Sequence, residues 1–219
     1  MLRNVDMNEI SDGRRYKAGD MVRIGCDGCK GGADCCHNMV NTIRLDPYDI
    51  YCLCNGLGMT FEELMVDTIE LQVIDGLIEP VMKMAGEKNA CPFLNEEGRC
   101  NIHAFRPGFC RMFPLGRIYE DGDFSYYMQT KECPYPNRSK IKIGKWLGIP
   151  NLPEYEAYIR SWHANVVACR EKLQADAGQS ELARELNMAR LKKFYVKPYD
   201  AERSFYEQIA KRLQEETLA

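Results

Sequence analysis

Ile24-Gly25-Cys26-Asp27-Gly28-Cys29-Lys30-Gly31-Gly32-Ala33-Asp34-Cys35-Cys36 places four cysteines and four glycines in thirteen residues. Glycine costs roughly 1 kcal/mol per helical position, so this run predicts a loop and not a helix. A glycine-rich loop can fold its backbone closely round an ion and point its amides at sulfur. Cys26-x2-Cys29 turns two sulfurs onto one tetrahedral ion, or onto neighbouring irons of a cluster. Cys35 and Cys36 are adjacent and bind one centre only with backbone strain, so the pair can serve two centres. Thiolates this close repel one another unless a cation neutralises them or they oxidise.

Four more cysteines, Cys91, Cys100, Cys110 and Cys133, form a second, more open group. Compartment decides between metal and disulfide. Met1-Leu2-Arg3-Asn4-Val5-Asp6-Met7-Asn8 has no apolar core of a secretory signal, and no stretch approaches the ~20 apolar residues of a membrane span. The chain is therefore expected in the cytoplasm, where clustered cysteines serve as metal ligands or catalysts more often than as disulfides. A count of eleven cysteines is odd and fits full pairing poorly. Redox-active thiols are the remaining reading. With 219 residues and 45% apolar content the chain can build a core without a metal. A net charge of −3 gives no general case for nucleic acid or a membrane surface.

Asp46-Pro47 predicts a helix start, running to about Asn55 and ending at Gly56-Leu57-Gly58. Thr60-Phe61-Glu62-Glu63 reads as a capping box opening a second helix. Asp75-Gly76 between two apolar runs predicts a hairpin, and a second is expected over 116–128. The basic run Arg138-Ser139-Lys140-Ile141-Lys142-Ile143-Gly144-Lys145 reads as a solvated linker. Helical periodicity follows from Pro153 to about Lys172, from Gln179 to Phe194 and from Ala201 to Leu213. The expected fold class is α+β: a small cysteine-rich metal-binding module with short β-hairpins and helices, plus a C-terminal helical appendage. The expected divisions are an N-terminal extension over 1–21, a cysteine-cluster domain over 22–138 and a helical region over 139–219.

In the second group, Glu97-Gly98 supplies a turn that lets Cys91 and Cys100 approach across a hairpin. Arg106 and Arg111 stand near Cys110, placed to offset the negative charge of a thiolate-bound centre and so to act in cofactor binding. His103 and His37 are read as core or supporting residues, with eight cysteines at hand. Cys52 and Cys54 point to different sides of one helix and are read as core or surface, and Cys169 as a buried structural thiol.

The blocks Cys91-Pro92-Phe93-Leu94, Arg99-Cys100-Asn101-Ile102-His103 and Arg106-Pro107-Gly108-Phe109-Cys110-Arg111-Met112-Phe113-Pro114 follow the clustered cysteines in order. In this the chain resembles the YkgJ family of cysteine-cluster proteins over about 22–137, a family described as zinc- or iron-chelating. Cys133-Pro134 looks like its last ligand position. The five-residue gap before Cys35-Cys36 is longer than the family's usual spacing. One branch, the flagellin lysine-N-methylases, implies iron–sulfur and S-adenosylmethionine chemistry, but this chain has neither a Rossmann-type glycine turn nor Cys-x3-Cys-x2-Cys.

The ligand set expected from these readings is Cys26, Cys29, Cys35, Cys36, Cys91, Cys100, Cys110 and Cys133. The expected cofactor is an iron–sulfur cluster of the 4Fe–4S kind, with redox or methyl-transfer chemistry open. Irregular spacing and proline after Cys91 and Cys133 carry that preference. Zinc in a structural or interaction module is the alternative. A protein partner is expected to engage the helical C-terminal region, with no nucleic acid and no membrane.

Overall fold

A computed structural model of the chain describes residues 7–26, 34–40, 42–130, 132, 133, 135, 138–175 and 180–215. In chain order the elements are α1 (Met7–Ile10), β1 (Met21–Gly25), α2 (Pro47–Leu57), α3 (Phe61–Asp67), β2 (Ile69–Ile74) and β3 (Leu77–Met82). They continue with α4 (Gly108–Met112), β4 (Leu115–Glu120), β5 (Asp123–Met128), β6 (Ser139–Lys142), α5 (Ile143–Leu147), α6 (Leu152–Ala175), α7 (Ser180–Leu191) and α8 (Phe205–Gln214). This is an α+β fold with three two-stranded antiparallel ribbons among the described residues, β1–β6, β2–β3 and β4–β5, and a helical C-terminal region. No helix is long and apolar enough to cross a membrane among the described residues.

Local chemistry explains the first helices. Asp46 accepts from the Asp49 amide at 3.0 Å while the Asp49 carboxylate accepts from the Asp46 amide at 3.1 Å, and Pro47 starts α2 with its φ already set. Gly58 closes α2 at φ +66°, a left-handed position that costs glycine little. Thr60 and Glu63 repeat the reciprocal cap on α3. The two hairpins turn at Asp75-Gly76 and Asp121-Gly122, all four residues at positive φ, as type I′ turns require.

Among the described residues the larger of two apolar clusters draws on elements from β1 to α8. It joins Val22 and Ile24 of β1, Leu53 of α2, Tyr126 of β5, Ile143 and Leu147 of α5, Tyr155 and Ile159 of α6, and Phe205 and Ile209 of α8. Residues from 22–138 and from 139–219 thus pack together, and Tyr16 and Ala18 pack against them half-buried. The N-terminal segment lies along β5: Tyr16 and Tyr126 exchange both backbone hydrogen bonds at 2.9 Å. The basic run expected to be a linker is not one. Ile141 and Ile143 alternate with its cations, so the run pairs as β6 with β1, from Met21↔Lys142 to Gly25↔Ser139, and continues into α5. The last helix starts at Phe205 rather than Ala201 because Ser204, whose hydroxyl accepts from the Glu207 amide, is its cap.

Arg190 on α7 is 1% exposed. Its guanidinium lies 5.3 Å from the Trp162 ring centre, and none of its nitrogens finds a hydrogen-bond partner among the described residues. A desolvated cation without hydrogen bonds costs more than one ring face returns. Arg190→Met keeps the length and removes the charge, and is expected to stabilise the fold by about 1–2 kcal/mol. A urea midpoint that falls instead would show that the cation is compensated.

Candidate metal centre

The cysteines reach one another through backbone pairing between short segments. A 3-10 turn at Asp34–Cys36 presents Cys35 and Cys36. The Cys36 carbonyl accepts from the Cys91 amide at 2.8 Å, the Asn89 carbonyl from the Asn38 amide at 2.9 Å, and His37 bridges Ala90. Cys91 opens a loop that folds back at Asn95, whose carbonyl accepts from the Gly98 amide at 3.0 Å with Gly98 at φ +70°. The Leu94–Cys100 bridge then sets Cys100 across the loop from Cys91. A second 3-10 turn, His103–Phe105, leads through Arg106 and Pro107 into α4, which carries Cys110.

Asp49, 3% exposed, fixes where α4 begins. Besides capping α2, its Oδ1 accepts from the Gly108 amide at 2.7 Å. A Cβ on Gly108 would stand 2.6 Å from the Tyr155 hydroxyl, so only glycine lets α4 approach so closely. The Tyr155 hydroxyl in turn accepts from Arg117 at 3.0 Å.

Cys35, Cys36, Cys91, Cys100 and Cys110 all line one cavity of about 90 Å³, together with His103, Arg106, Trp146 and mostly apolar neighbours. One water needs only roughly 10–15 Å³ of such space, so the cavity has room for an ion or a small cluster. Five thiols and two cations, Arg99 and Arg106, on a mostly apolar wall suit a thiolate-bound metal, which is soft and leaves negative charge to be balanced. As they stand, no three His, Cys, Asp or Glu among the described residues form a ready ligand group.

The electrostatics explain how such thiols wait. Burial, ahead of neighbouring thiols, pushes Cys110 well above the ordinary thiol range and Cys91 up to about 11. Cys100 is raised by burial, and Cys35 first by its hydrogen bond with Cys36 and then by burial. Burial and then the Arg106 cation hold His103 below the usual imidazole value, so its neutral ring pairs with Arg106. Arg111 is turned away onto backbone: Nε donates to the Arg106 carbonyl at 2.9 Å and Nη2 to that of Ala104 at 2.6 Å. It clips the loop that delivers Arg106.

Raised pKa values mean that Cys35, Cys91, Cys100 and Cys110 carry their protons at neutral pH without metal, and each that binds must lose one. Zinc titrated into the metal-free chain is therefore expected to release protons. Its apparent affinity should rise by about tenfold per pH unit for each proton displaced, and weaken as pH falls. Calorimetry in buffers of different ionisation heat counts those protons, and an affinity flat from pH 6 to pH 8 would contradict the arrangement.

The other described cysteines stand apart from this cavity. Cys26 at the end of β1 and Cys133 are half-buried and do not line it. Cys29 lies outside the described residues. Cys52 and Cys54 are half-buried on α2, their thiols pushed up by burial to about 12 and about 11. Cys169 packs with Leu77 and Leu186 in a small separate cluster. Sequence reading did not single out Asp49, Gly108 or Trp146 for the site. Trp146 closes one wall, its indole N–H held by the Phe113 carbonyl at 3.2 Å.

Residues 25–134 match the model of a family named CxxCxxCC and described as "Putative zinc- or iron-chelating domain". No curated protein matches the chain, and no solved structure does.

Proposed function

The chain belongs to the CxxCxxCC family of zinc- or iron-chelating domains, and on that footing we propose that its cavity holds an iron–sulfur centre of the 4Fe–4S kind. The observation that carries the proposal is the convergence of Cys35, Cys36, Cys91, Cys100 and Cys110 on one apolar cavity with Arg106. A single tetrahedral zinc uses four donors. Five thiols round space larger than an ion, plus a balancing cation, favour the cluster. When bound, such a centre supplies one-electron chemistry.

The protein's own residues have separate tasks in this reading. Four of the five cavity cysteines supply thiolates, and the fifth stands by as a spare or a hydrogen-bond donor to sulfur. Arg106 offsets the anionic ligand set from the cavity wall. Neutral His103 holds Arg106 in place, and Arg111 fixes the backbone between them. Trp146 and the apolar neighbours keep water from the centre, which lowers the local dielectric and strengthens the Arg106 charge. Cys26, Cys29 and Cys133 would serve a second site or cover the first. The methyl-transfer reading rests on resemblance alone and is not adopted.

Visible and electron-paramagnetic spectra of protein purified without oxygen test the proposal. It expects a broad violet absorption that bleaches with dithionite, and that weakens on Arg106→Leu as the balancing charge is lost. A colourless protein with tightly held zinc would replace the redox reading by a structural one.

A further inference from the structure

The β1–β6 ribbon has two faces of opposite character. Val22, Ile24 and Ile141 turn toward the core, while Met21, Arg23, Lys140 and Lys142 are exposed on the other side. The register sets Arg23 opposite Lys140 and Met21 opposite Lys142. Like charges placed directly across an antiparallel pair destabilise it. Among the described residues none of these three cations has an ion pair, and the Arg23 guanidinium reaches only the Arg138 carbonyl at 3.4 Å. Lys145, also exposed, extends the basic character into α5.

No further strand extends the ribbon among the described residues. Exposed edges accept an added extended segment through backbone hydrogen bonds, with alternate side chains read by the face. A second copy of this ribbon would bring cation against cation and is disfavoured, which is how edge lysines block self-pairing. An acidic strand is admitted. The chain as a whole carries −3, so its field away from the ribbon repels long polyanions. The basic face, about four residues or roughly 14 Å long, matches a few carboxylates rather than a run of phosphates. Met21, 51% exposed, supplies an apolar anchor among the cations. The apolar faces of α6 and α8 are buried in the core, through Tyr155, Ile159, Phe205 and Ile209.

We propose that the β1–β6 ribbon is a docking site for an extended acidic segment of a partner protein, its carboxylates set on Arg23, Lys140 and Lys142 and an apolar side chain on Met21. The ribbon ends at Gly25, directly before Cys26, so a docked partner lies next to the cysteine loop in the chain.

The test uses the full chain and a fluorescein-labelled peptide alternating glutamate with valine, followed by fluorescence anisotropy. Saturable binding is expected at about 50 mM salt, weakening by about tenfold or more at about 0.5 M. Arg23→Glu and, separately, Lys140→Glu each set opposite charges across the ribbon. Each is expected to raise or keep the melting temperature while weakening peptide binding by about tenfold. That opposition separates docking from folding, since a merely structural role moves stability alone. Absence of saturable binding would overturn the proposal, as would binding by both variants as tight as that of the unsubstituted chain. So would displacement of the peptide by an equal concentration of single-stranded oligothymidylate, which would reassign the face to nucleic acid.

Discussion

Alanine at Cys91 and Cys110 together is expected to leave the purified chain without its metal, whereas alanine at Cys52 or at Cys169 leaves the metal content unchanged. Cys91 and Cys110 come from different segments of the cavity lining, one tied to the Cys36 carbonyl and the other carried on α4. No rearrangement within one segment replaces both. Cysteine-bound structural metals contribute about 10–16 kcal/mol over four ligands, so losing two removes about 5 kcal/mol or more, several thousandfold in affinity. Cys52 and Cys169 have comparably buried thiols but line no part of the cavity. Metal per chain by mass spectrometry, with circular dichroism to confirm folding, reads the result. Retention by the double variant would take the site out of this cavity.

Asp49→Ala is the substitution outside the cysteines with the largest expected effect. The carboxylate accepts from two amides, that of Asp46 at the start of α2 and that of Gly108 at the start of α4. Alanine deletes half of a capping box and leaves the buried Gly108 N–H with no acceptor. The two losses together cost about 2–4 kcal/mol. Because α4 carries Cys110, the same change loosens the cavity and weakens metal retention. Asn at the same position keeps an acceptor for Gly108 but turns a donor toward the Asp46 amide, so its loss is expected to be about half as large. Urea unfolding of the three proteins measures the order, and equal stability of Asp49→Ala and the parent would break the proposed link between α2 and α4.

These two predictions also mark what the sequence could and could not reveal. Features written in neighbouring residues were legible: the Asp46-Pro47 and Thr60-Glu63 helix starts, the Asp75-Gly76 and Asp121-Gly122 turns and the long helix through Trp162. Each is decided within a few residues by caps, φ restrictions or periodicity. Features joining distant residues were not. Asp49 meets Gly108 across 59 positions and Ser139 meets Gly25 across 114, and nothing local in either partner points to the other. The run from Arg138 to Lys145 looked like a linker because charge dominates it. Its alternating isoleucines mark an inward face only once β1 is beside it.

The candidate site divides the same way. The gathering of Cys91, Cys100 and Cys110 near Arg106 was readable from the turn at Glu97-Gly98 and the dense block that follows. The grouping of Cys35 and Cys36 with them, apart from Cys26 and Cys133, was not readable. It depends on the backbone bond from Cys91 to Cys36, which spacing alone does not encode. Arg111 was selected for its nearness in sequence to Cys110, but its guanidinium holds the carbonyls of Ala104 and Arg106. Proximity along the chain cannot tell a side chain facing a cavity from one supporting its wall.

The most direct measurement is iron, acid-labile sulfide and zinc per chain on protein purified without oxygen. About four irons with matching sulfide is the predicted result, as a cubane cluster requires. Stoichiometric zinc with no iron and no sulfide would contradict the iron–sulfur centre and leave the cavity as a structural thiolate site.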